Sequence, residues 1–472
     1  MAKGDVITLQ LGSFSNYTCS HLWNLQGNCF YFSEEAPFGL EFDHDVFYRE
    51  GRSLQNKVTY NPRTVLIDLK GSLRCAAWPT DLSYDGCSGD EGTIWDGAMQ
   101  IHKAERAAHS SKSEELGEAD RKDHTSESIT KDTWAGYIQN KFHPKSVLIS
   151  NRYDADDPQQ LFSVFNQGND LWSFEGEHFE DRIRWFAEEC DRLTGFNVVA
   201  DIATGFAGFT CKCLELLNDD FSGKTSVVWG LFDVPQDEKY SNYRRLNALL
   251  AYDKLQEIAD LVLPLSVSTD GIMRNLRPGM GSMDLSPFSG GALLALHVDS
   301  VLSSLKLKSD AGFNFSTLPR VLTAGQRKFG VSSMVVQPTK SSRMECLTPM
   351  CAPPTHSTAT YSVTRACEEL ASIIVKTCKS SPESTFVKNL RHPSKFSNER
   401  FGQFVEGAIP AGDFSLASGL YAVQNSATVV KHLDDLIRRE FRLNKMHRLT
   451  VTQEDVEEAL QAVTNIKEQY SF

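Results

Sequence analysis

What most constrains this chain is a rhythm of short apolar runs of strand length, with helical patterns between the later ones. "DVITLQLG" (Asp5–Gly12) alternates apolar and polar residues and stops at a glycine, as an opening strand does. "TVLIDL" (Thr64–Leu69), "SVLIS" (Ser146–Ser150), "VVA" (Val198–Ala200), "TSVVWGLF" (Thr225–Phe232) and "ADLVLPLS" (Ala259–Ser266) follow. Several are nearly continuous in apolar character, as strands buried on both faces are. Phe179, Ile183, Phe186, Cys190 and Leu193 recur at intervals of four and three opposite a charged face, which predicts a helix ending at Gly195. Another helix is predicted through Leu214 and Leu217. Strands alternating with helices in this way predict a parallel α/β sheet covered on both faces.

The second half reads differently. Gly291–Leu305, "GALLALHVDSVLSSL", has little polarity on most of its circumference and predicts a central helix. On it, His297 is read as a core histidine and Asp299 as locally paired. "VSSMVVQP" and a Pro/Ser/Thr/Cys-rich loop (Pro338–Ser362) come next, then two C-terminal helices, "ATVVKHLDDLIRREFR" and "TQEDVEEALQAVTNIKEQY". Thr452 and Asp455 are placed to form a capping box at the start of the last one. Residues 101–132 are charged, serine-rich and poor in large apolar groups. Such a segment buries too little surface to offset its ordering entropy, so it reads as a solvated insertion.

Bulk properties exclude some functions. A net charge of −13 over 472 residues argues against nucleic acid and anionic lipid as primary partners. No run of 18 uncharged apolar residues occurs, so no transmembrane segment is expected. The opening "MAKGDVITLQLGSF" has neither a secretory core nor an arginine-rich presequence, so a cytoplasmic location is expected. Eleven scattered cysteines fit reduced thiols. Cys346, Cys351 and His356 lack the paired spacing of structural zinc sites, so no metal is expected. "SGKT" (Ser222–Thr225) imitates the end of a P-loop, but it precedes a strand and lacks the earlier glycine, so it is read as a turn.

One segment looks built for an anion. "VVADIATGFAGFTCKCLELL" (Val198–Leu217) gives a strand, a loop with Gly205 and Gly208, and a helix. That order aims backbone N–H groups and a helix dipole at a phosphate. Phe206 and Phe209 stand where a phosphate would want no side chain, and both are read as core residues under a turn.

Set together, these segments carry a resemblance. "ITLQLGSFSNYTCSHLWN" resembles the first strand, loop and helix of tubulins, and "NPRTVLIDLKGSL" resembles their Pro-Arg-Ala-Val-x-Val-Asp-Leu-Glu-Pro segment. "EECDRLTGFNVVADIATGFAGF" is similar to the helix and strand leading into the tubulin loop Gly-Gly-Gly-Thr-Gly-Ser-Gly. "SGLYAVQNSATVVKHLDDLIRREF" resembles a late tubulin segment around Asn-Ser-Thr-Ala-Ile. The opening strand with "SHLWNLQ", "FHPKSV" (Phe142–Val147) and "EECDRLTGF" resemble the Misato family of tubulin-like proteins in particular. The resemblance implies a tubulin/FtsZ-like α/β fold. A nucleotide-binding-type domain with a parallel Rossmann-like sheet spans residues 1–287, a central helix 288–305, and a second α+β domain with C-terminal helices 306–472.

It also implies where a nucleotide would sit, and that this site is degenerate. Gly12 of the first loop is kept, but Ser13 and Phe14 replace the polar arm that follows it; Asn16 lies one turn on. In the second loop Asp68 is kept, while Lys70 stands where tubulins have the glutamate near magnesium; lysine cannot ligate Mg²⁺ but could partly neutralise a phosphate. "NQGNDLW" (Asn166–Trp172), read as the third loop, keeps Gly168 and Asn169. The fourth loop keeps Thr204, Gly205 and Gly208 and brings in two phenylalanines. Phe288 replaces the tyrosine that stacks on guanine, and Ala292 stands near the asparagine that reads it. "FNFSTLPRVL" (Phe313–Leu322) keeps Asn314 but has Ser316 and Thr317 where tubulins place the catalytic aspartate. A hydroxyl cannot polarise water as a carboxylate does.

The resemblance therefore implies a non-enzymatic protein with no catalytic residues and no required cofactor, with weak GTP or GDP binding left open. Its role would be in mitochondrial distribution and morphology. It would be cytoplasmic, associate peripherally with the mitochondrial outer membrane, and have tubulin or the cytosolic chaperonin as candidate partners. The alternative is a GTP-binding, self-assembling tubulin-like protein linked to microtubule and spindle assembly.

Overall fold

The computed structural model describes residues 3–30, 41–52, 58–73, 133–138, 140–157, 161–232, 241–266, 286–310, 312–323, 327–338, 345–347, 357–365, 385–390, 394–395, 416–426, 429–437 and 451–470. The insertion at 101–132, Cys351 and His356 lie outside the described residues.

The chain begins with β1 (Asp5–Leu11) and α1 (Ser13–Gly27), followed by an antiparallel hairpin of β2 (Tyr48–Arg52) and β3 (Val58–Pro62). Then come β4 (Thr64–Lys70), β5 (Val147–Asp154), α2 (Phe165–Glu188), β6 (Leu193–Asp201), α3 (Phe206–Asp220), β7 (Thr225–Phe232), α4 (Ser241–Ile258) and β8 (Leu261–Ser266). β1 and β4–β8 form one parallel sheet in the order β5-β4-β1-β6-β7-β8. The chain thus works outward from β1 on one side and then resumes at β6 on the other. In an open α/β sheet that reversal opens a crevice beyond the carboxyl ends of the two central strands. The predicted parallel sheet is what the chain forms.

The strands alternate as a two-residue period requires. Val6, Leu66, Val199 and Val227 pack on one face with α1, and Leu9, Val65, Val198 and Val228 pack on the other with α2, α3 and α4. This second face explains the long apolar runs.

The central helix α5 (Pro287–Leu305) starts four residues before the sequence pattern suggests, because Pro287 fits the first turn of a helix. By length and composition it could cross a membrane, but 94% of its apolar window is buried inside the protein. It packs along α1, where a Cβ on Gly291 would lie 3.1 Å from the Thr18 nitrogen. Ser304 hydrogen-bonds Tyr361 at 2.7 Å on its other side. Asp299 accepts from Ser303 Oγ at 3.0 Å, the local pairing expected of it, and His297 is buried against Trp229.

After a short α6 (Thr317–Leu322), β9 (Val331–Pro338), β10 (Glu345–Leu347), β11 (Ser357–Arg365), β12 (Thr385–Leu390), β13 (Ser394–Lys395) and β14 (Leu416–Ser426) form a second, mixed sheet. Its order is β10-β9-β14-β11-β12, with β13 beside β14 and only β11–β12 parallel. The Pro338–Ser362 segment is therefore not all loop. β10 pairs with Val336–Met334, and β11 begins at Ser357.

The last helices, α7 (Val429–Ile437) and α8 (Gln453–Gln469), share the core of the first sheet's outer face. Val456, Ala459, Val463 and Ile466 of α8 join Leu249 and Leu255 of α4 there. The capping box forms as expected: Thr452 Oγ1 accepts from the Asp455 amide at 3.1 Å, and Asp455 Oδ2 accepts from the Thr452 amide at 2.7 Å. Tyr470 OH fixes the end of α8 by donating to the Phe329 carbonyl and accepting from its amide.

Three local expectations are corrected. The helix expected to run to Gly195 stops at Glu188, and β6 begins at Leu193. Cys190 and Leu193 only continue the apolar spacing by coincidence. Gly195 is a strand residue, needed because a Cβ would meet the Thr225 carbonyl and the Phe315 ring. "NQGNDLW" is not a loop but the first two turns of α2. The fourth loop is shorter than read, since Phe206 already begins α3.

Candidate functional site

The crevice at the sheet's reversal lies between Gly12, after β1, and Asp201, at the end of β6. Three helices, α1, α2 and α3, start around it. Each brings free N–H groups in its first turn, which need partners wherever they are buried.

The first cradle is taken by a carboxylate. Asp201 Oδ2 accepts from the Phe14 amide at 2.9 Å and Oδ1 from the Ser15 amide at 2.7 Å, with the residue buried. Gly12 makes this approach possible. Its φ is +111°, which disfavours other residues, and a Cβ would stand 2.5 Å from Asp201 Oδ2 and 2.8 Å from the Phe206 ring. The Gly12 amide donates to the Ile67 carbonyl at 3.2 Å, and its carbonyl accepts from Ser15 Oγ and the Asn16 amide. Ser13, half-buried, is the first residue of α1.

The second cradle, at α2, is taken by amides. Asn247, reaching in from α4, accepts from the Phe165 amide at 2.8 Å and donates to the Ser163 and Ala203 carbonyls. Gln167 Oε1 accepts from the Ser163 and Val164 amides at 2.8 and 2.9 Å. At α3, the Gly205 amide donates to the Phe162 carbonyl, and Thr204 Oγ1 accepts from the Phe206 amide, both at 3.3 Å.

Aromatic rings fill the space between. Phe206 meets Phe162 edge-to-face at 4.8 Å, and Phe162 meets Tyr153 at 4.9 Å. A Cβ on Gly205 would lie 2.8 Å from the Phe162 ring. Phe209 is fully buried between Trp172 and Phe179. Both phenylalanines are core residues, within a helix instead of under a turn.

Gly168 and Gly208 serve a helix crossing. A Cβ on Gly168 would lie 2.5 Å from the Phe209 nitrogen and 3.0 Å from Gly208 Cα, and closer still to the Gly205 carbonyl. A Cβ on Gly208 would collide with the Phe165 carbonyl and approach Asn169 Oδ1 to 3.1 Å. Asn169 also donates to Asn166 Oδ1 at 3.3 Å.

Asp68 belongs to a neighbouring buried knot. Its carboxylate accepts from Asn16 Nδ2 at 3.0 Å, Trp134 Nε1 at 2.9 Å and the Leu69 amide at 2.9 Å. Burial pushes its pKa up to about 6, while the hydrogen bonds from Asn16, Leu69 and Trp134 pull it back. Lys70 points out to solvent and pairs with Asp154 at 3.4 Å. Phe288 packs edge-to-face on His21 of α1 at 4.7 Å, and its carbonyl accepts from His21 Nε2 at 2.9 Å. Burial lowers the His21 pKa to about 3, which keeps that ring neutral. Asn314 Oδ1 accepts from the Thr317 amide and from both hydroxyls of Ser316 and Thr317, so it closes a local turn at the approach to α6. It lies near the start of β6, where Phe315 meets Gly195, at the far edge of the sheet from Gly205.

The structure thus gathers Gly12, Gly168, Asn169, Thr204, Gly205 and Gly208 around one crevice. Asn16 and Asp68 sit beside it, Lys70 pairs with Asp154, and Phe288 packs on His21. Sequence reasoning missed Asp201, Asn247, Gln167, Phe162 and Trp134. For Asp201 a signal existed: a carboxylate ending the apolar run Val198–Ala200 shortly before a glycine loop. For Asn247 and Phe162 none did, since their partners are distant in sequence.

Residues 4–118 match the family profile of the Misato Segment II tubulin-like domain, and residues 123–307 match that of a tubulin domain. Protein misato homolog 1 of Bos taurus is 32% identical over 353 residues, which is 66% of this chain and 61% of that protein. Its counterpart in Danio rerio is 28% identical over 370 residues, 68% of this chain and 62% of that protein. Protein misato of Drosophila melanogaster is 30% identical over 346 residues, 64% of this chain and 60% of that protein. The chain spans about three fifths of the length of the curated relatives it matches.

Proposed function

Because this chain belongs to the Misato family of tubulin-like proteins, we propose that it is a non-enzymatic member whose GTP-type cradle is filled by its own side chains. The observation that carries this is the Asp201 carboxylate on the Phe14 and Ser15 amides, with the Phe206 ring against Gly12. A nucleotide phosphate needs those same donors and that same space. A second negative charge beside Asp201 would be repelled as well. The residues present do not fit a nucleoside triphosphate with magnesium. The one acid carried over from the family's metal-side pattern, Asp68, is buried and spends its oxygens on Asn16, Leu69 and Trp134. At the far edge Asn314, Ser316 and Thr317 offer no carboxylate to an attacking water.

The role that fits this family is mitochondrial distribution and morphology, exerted by binding rather than turnover. The protein works in the cytoplasm with peripheral contact to the mitochondrial outer membrane, and tubulin or the cytosolic chaperonin is its partner. Purified protein is denatured and the supernatant assayed for guanine nucleotide, alongside phosphate release from GTP. Substoichiometric nucleotide and no release above a buffer blank are expected; stoichiometric GDP or GTP would refute the filled cradle. In cells, a tagged copy should partly co-sediment with mitochondria and be released by alkaline carbonate. Retention after that wash, or no mitochondrial share at all, would remove the location.

A further inference from the structure

α1 is 15 residues long, and its first turn points at the end of β6. A buried helix start of that kind carries partial positive charge and unsatisfied amides, and both favour an anion. Asp201 meets them with one oxygen per amide, at 2.9 and 2.7 Å, on successive residues. The carboxylate comes from the strand paired with β1, where Leu11 lies opposite Ala200, so it spans the sheet's reversal point. It is only 4% exposed. Gly12 adopts a left-handed φ and lacks the Cβ that would displace it.

We propose that Asp201 is a built-in anion lock, a carboxylate of the chain itself that occupies the α1 cradle in place of a ligand oxyanion and fixes β1, α1 and β6 together. The proposal rests on the filled-cradle reading above and adds that this one contact ties β1, α1 and β6 together, and that its removal opens a site for a small oxyanion. The lock is constitutive, so the cradle needs no ligand to be ordered. It follows that removing the carboxylate leaves a vacancy with the size and polarity of a small oxyanion.

The test uses Asp201→Ala and Asp201→Asn in the full chain, with thermal midpoints read in sodium chloride, sodium formate and inorganic phosphate at matched ionic strength. Asp201→Ala should lower the midpoint by about 5 °C, from the loss of two charge-assisted hydrogen bonds. Formate or phosphate should recover at least half of that loss, while the wild type shifts no more than it does in chloride. Asp201→Asn, which keeps one acceptor but no charge, should fall between. Hydrogen exchange on the wild type adds a readout that needs no variant: the Phe14 and Ser15 amides should be as protected as those of β1. The lock is overturned if Asp201→Ala is as stable as wild type, or if its loss shows no anion-specific recovery. It is equally overturned if those two amides exchange like unprotected ones. Nucleotide-free wild type with such a result sinks the lock alone, whereas bound nucleotide in the wild type sinks the filled cradle first.

Discussion

Alanine at Gly168 or Gly208 separates two explanations for glycines that survive around a filled cradle. If they are remnants of a phosphate loop, a methyl group costs little in a protein that binds no phosphate. If they hold a helix crossing, it is expensive. The Cβ added at Gly168 would lie 2.5 Å from the Phe209 nitrogen and 3.0 Å from Gly208 Cα. Ordinary contact for such atoms is about 3.5 Å, so α2 and α3 must part by on the order of 1 Å. Every atom met is backbone, so no flexible chain end can swing aside. Parting the helices would loosen Phe165, Phe206 and Phe209, all buried in the same core cluster.

Overpacking of this kind costs about 1–3 kcal/mol, and the rigid neighbours favour the upper half of that range. Replacing a helical glycine by alanine returns about 1 kcal/mol of propensity. Each single variant should therefore lose roughly 1–2 kcal/mol, read as a lower urea midpoint at unchanged slope. The double variant should lose less than the sum, since one displacement makes room for both methyls. Gly312→Ala is the control, because nothing lies within 4 Å of its added Cβ. If Gly168→Ala and Gly208→Ala move the midpoint no further than Gly312→Ala does, the helix-crossing argument is wrong.

Other consequences are as direct. The Asp68 carboxyl holds its proton up to about pH 6 in the folded protein, against an ordinary value of 3.8. Its contribution to stability is thus fully present below pH 4 and is lost as pH rises through 6, by roughly 2–3 kcal/mol. Asp68→Asn should remove that slope, so its urea midpoint should gain on the wild type between pH 4 and 7.5; a constant gap would show that Asp68 does not titrate there. Lys70→Glu restores the family's acidic residue but places it outside the filled cradle, so equilibrium dialysis with GTP and Mg²⁺ should show no gain in binding. Lys70→Ala should change stability by less than about 0.5 kcal/mol, as expected of an exposed ion pair. Thr452→Ala removes the α8 cap and should cost about 1 kcal/mol, seen first as faster amide exchange at the start of that helix.

Much of the fold was legible because strands buried on both faces carry their signature in consecutive residues. Val198–Ala200 and Val227–Trp229 admit little else. The helix end at Glu188 was not legible, since Cys190 and Leu193 keep the apolar spacing while their backbone has already turned toward β6. "NQGNDLW" misled in the opposite way, because the resemblance set it against the third tubulin loop although it forms the start of α2. There the glycine is kept by the approach of α3, and tertiary contact overrides propensity. In sequence the candidate site reads as a set of departures from the tubulin pattern, and nothing in that pattern gives its construction. Ser13 and Lys70 look like losses in sequence, yet neither contributes to filling the crevice. The residues that do so, Asp201, Asn247 and Phe162, come from the end of β6, the middle of α4 and the approach to α2, and only folding brings them together.

That difference bears on how a strand–glycine–helix frame is held together under the proposed filled cradle. Three helix starts buried around one crevice cannot simply lose their ligand, because each amide left without a partner costs about 1–3 kcal/mol. The donors at Phe14, Ser15, Ser163, Val164, Phe165, Gly205 and Phe206 all find acceptors within the chain. On the proposed reading such a frame dispenses with nucleotide only when such acceptors are in place, so the phenylalanines and these acceptors act together. Gly12 then has a different task, to let a carboxylate approach instead of a phosphate, and the Gly168–Gly208 crossing holds the two neighbouring cradles at the spacing that Asn247 bridges. On this account the glycines of "VVADIATGFAGFTCKCLELL" are not relics. Gly208 meets the Phe165 backbone and Gly205 the Phe162 ring, so alanine at either position overpacks a contact that the fold already uses.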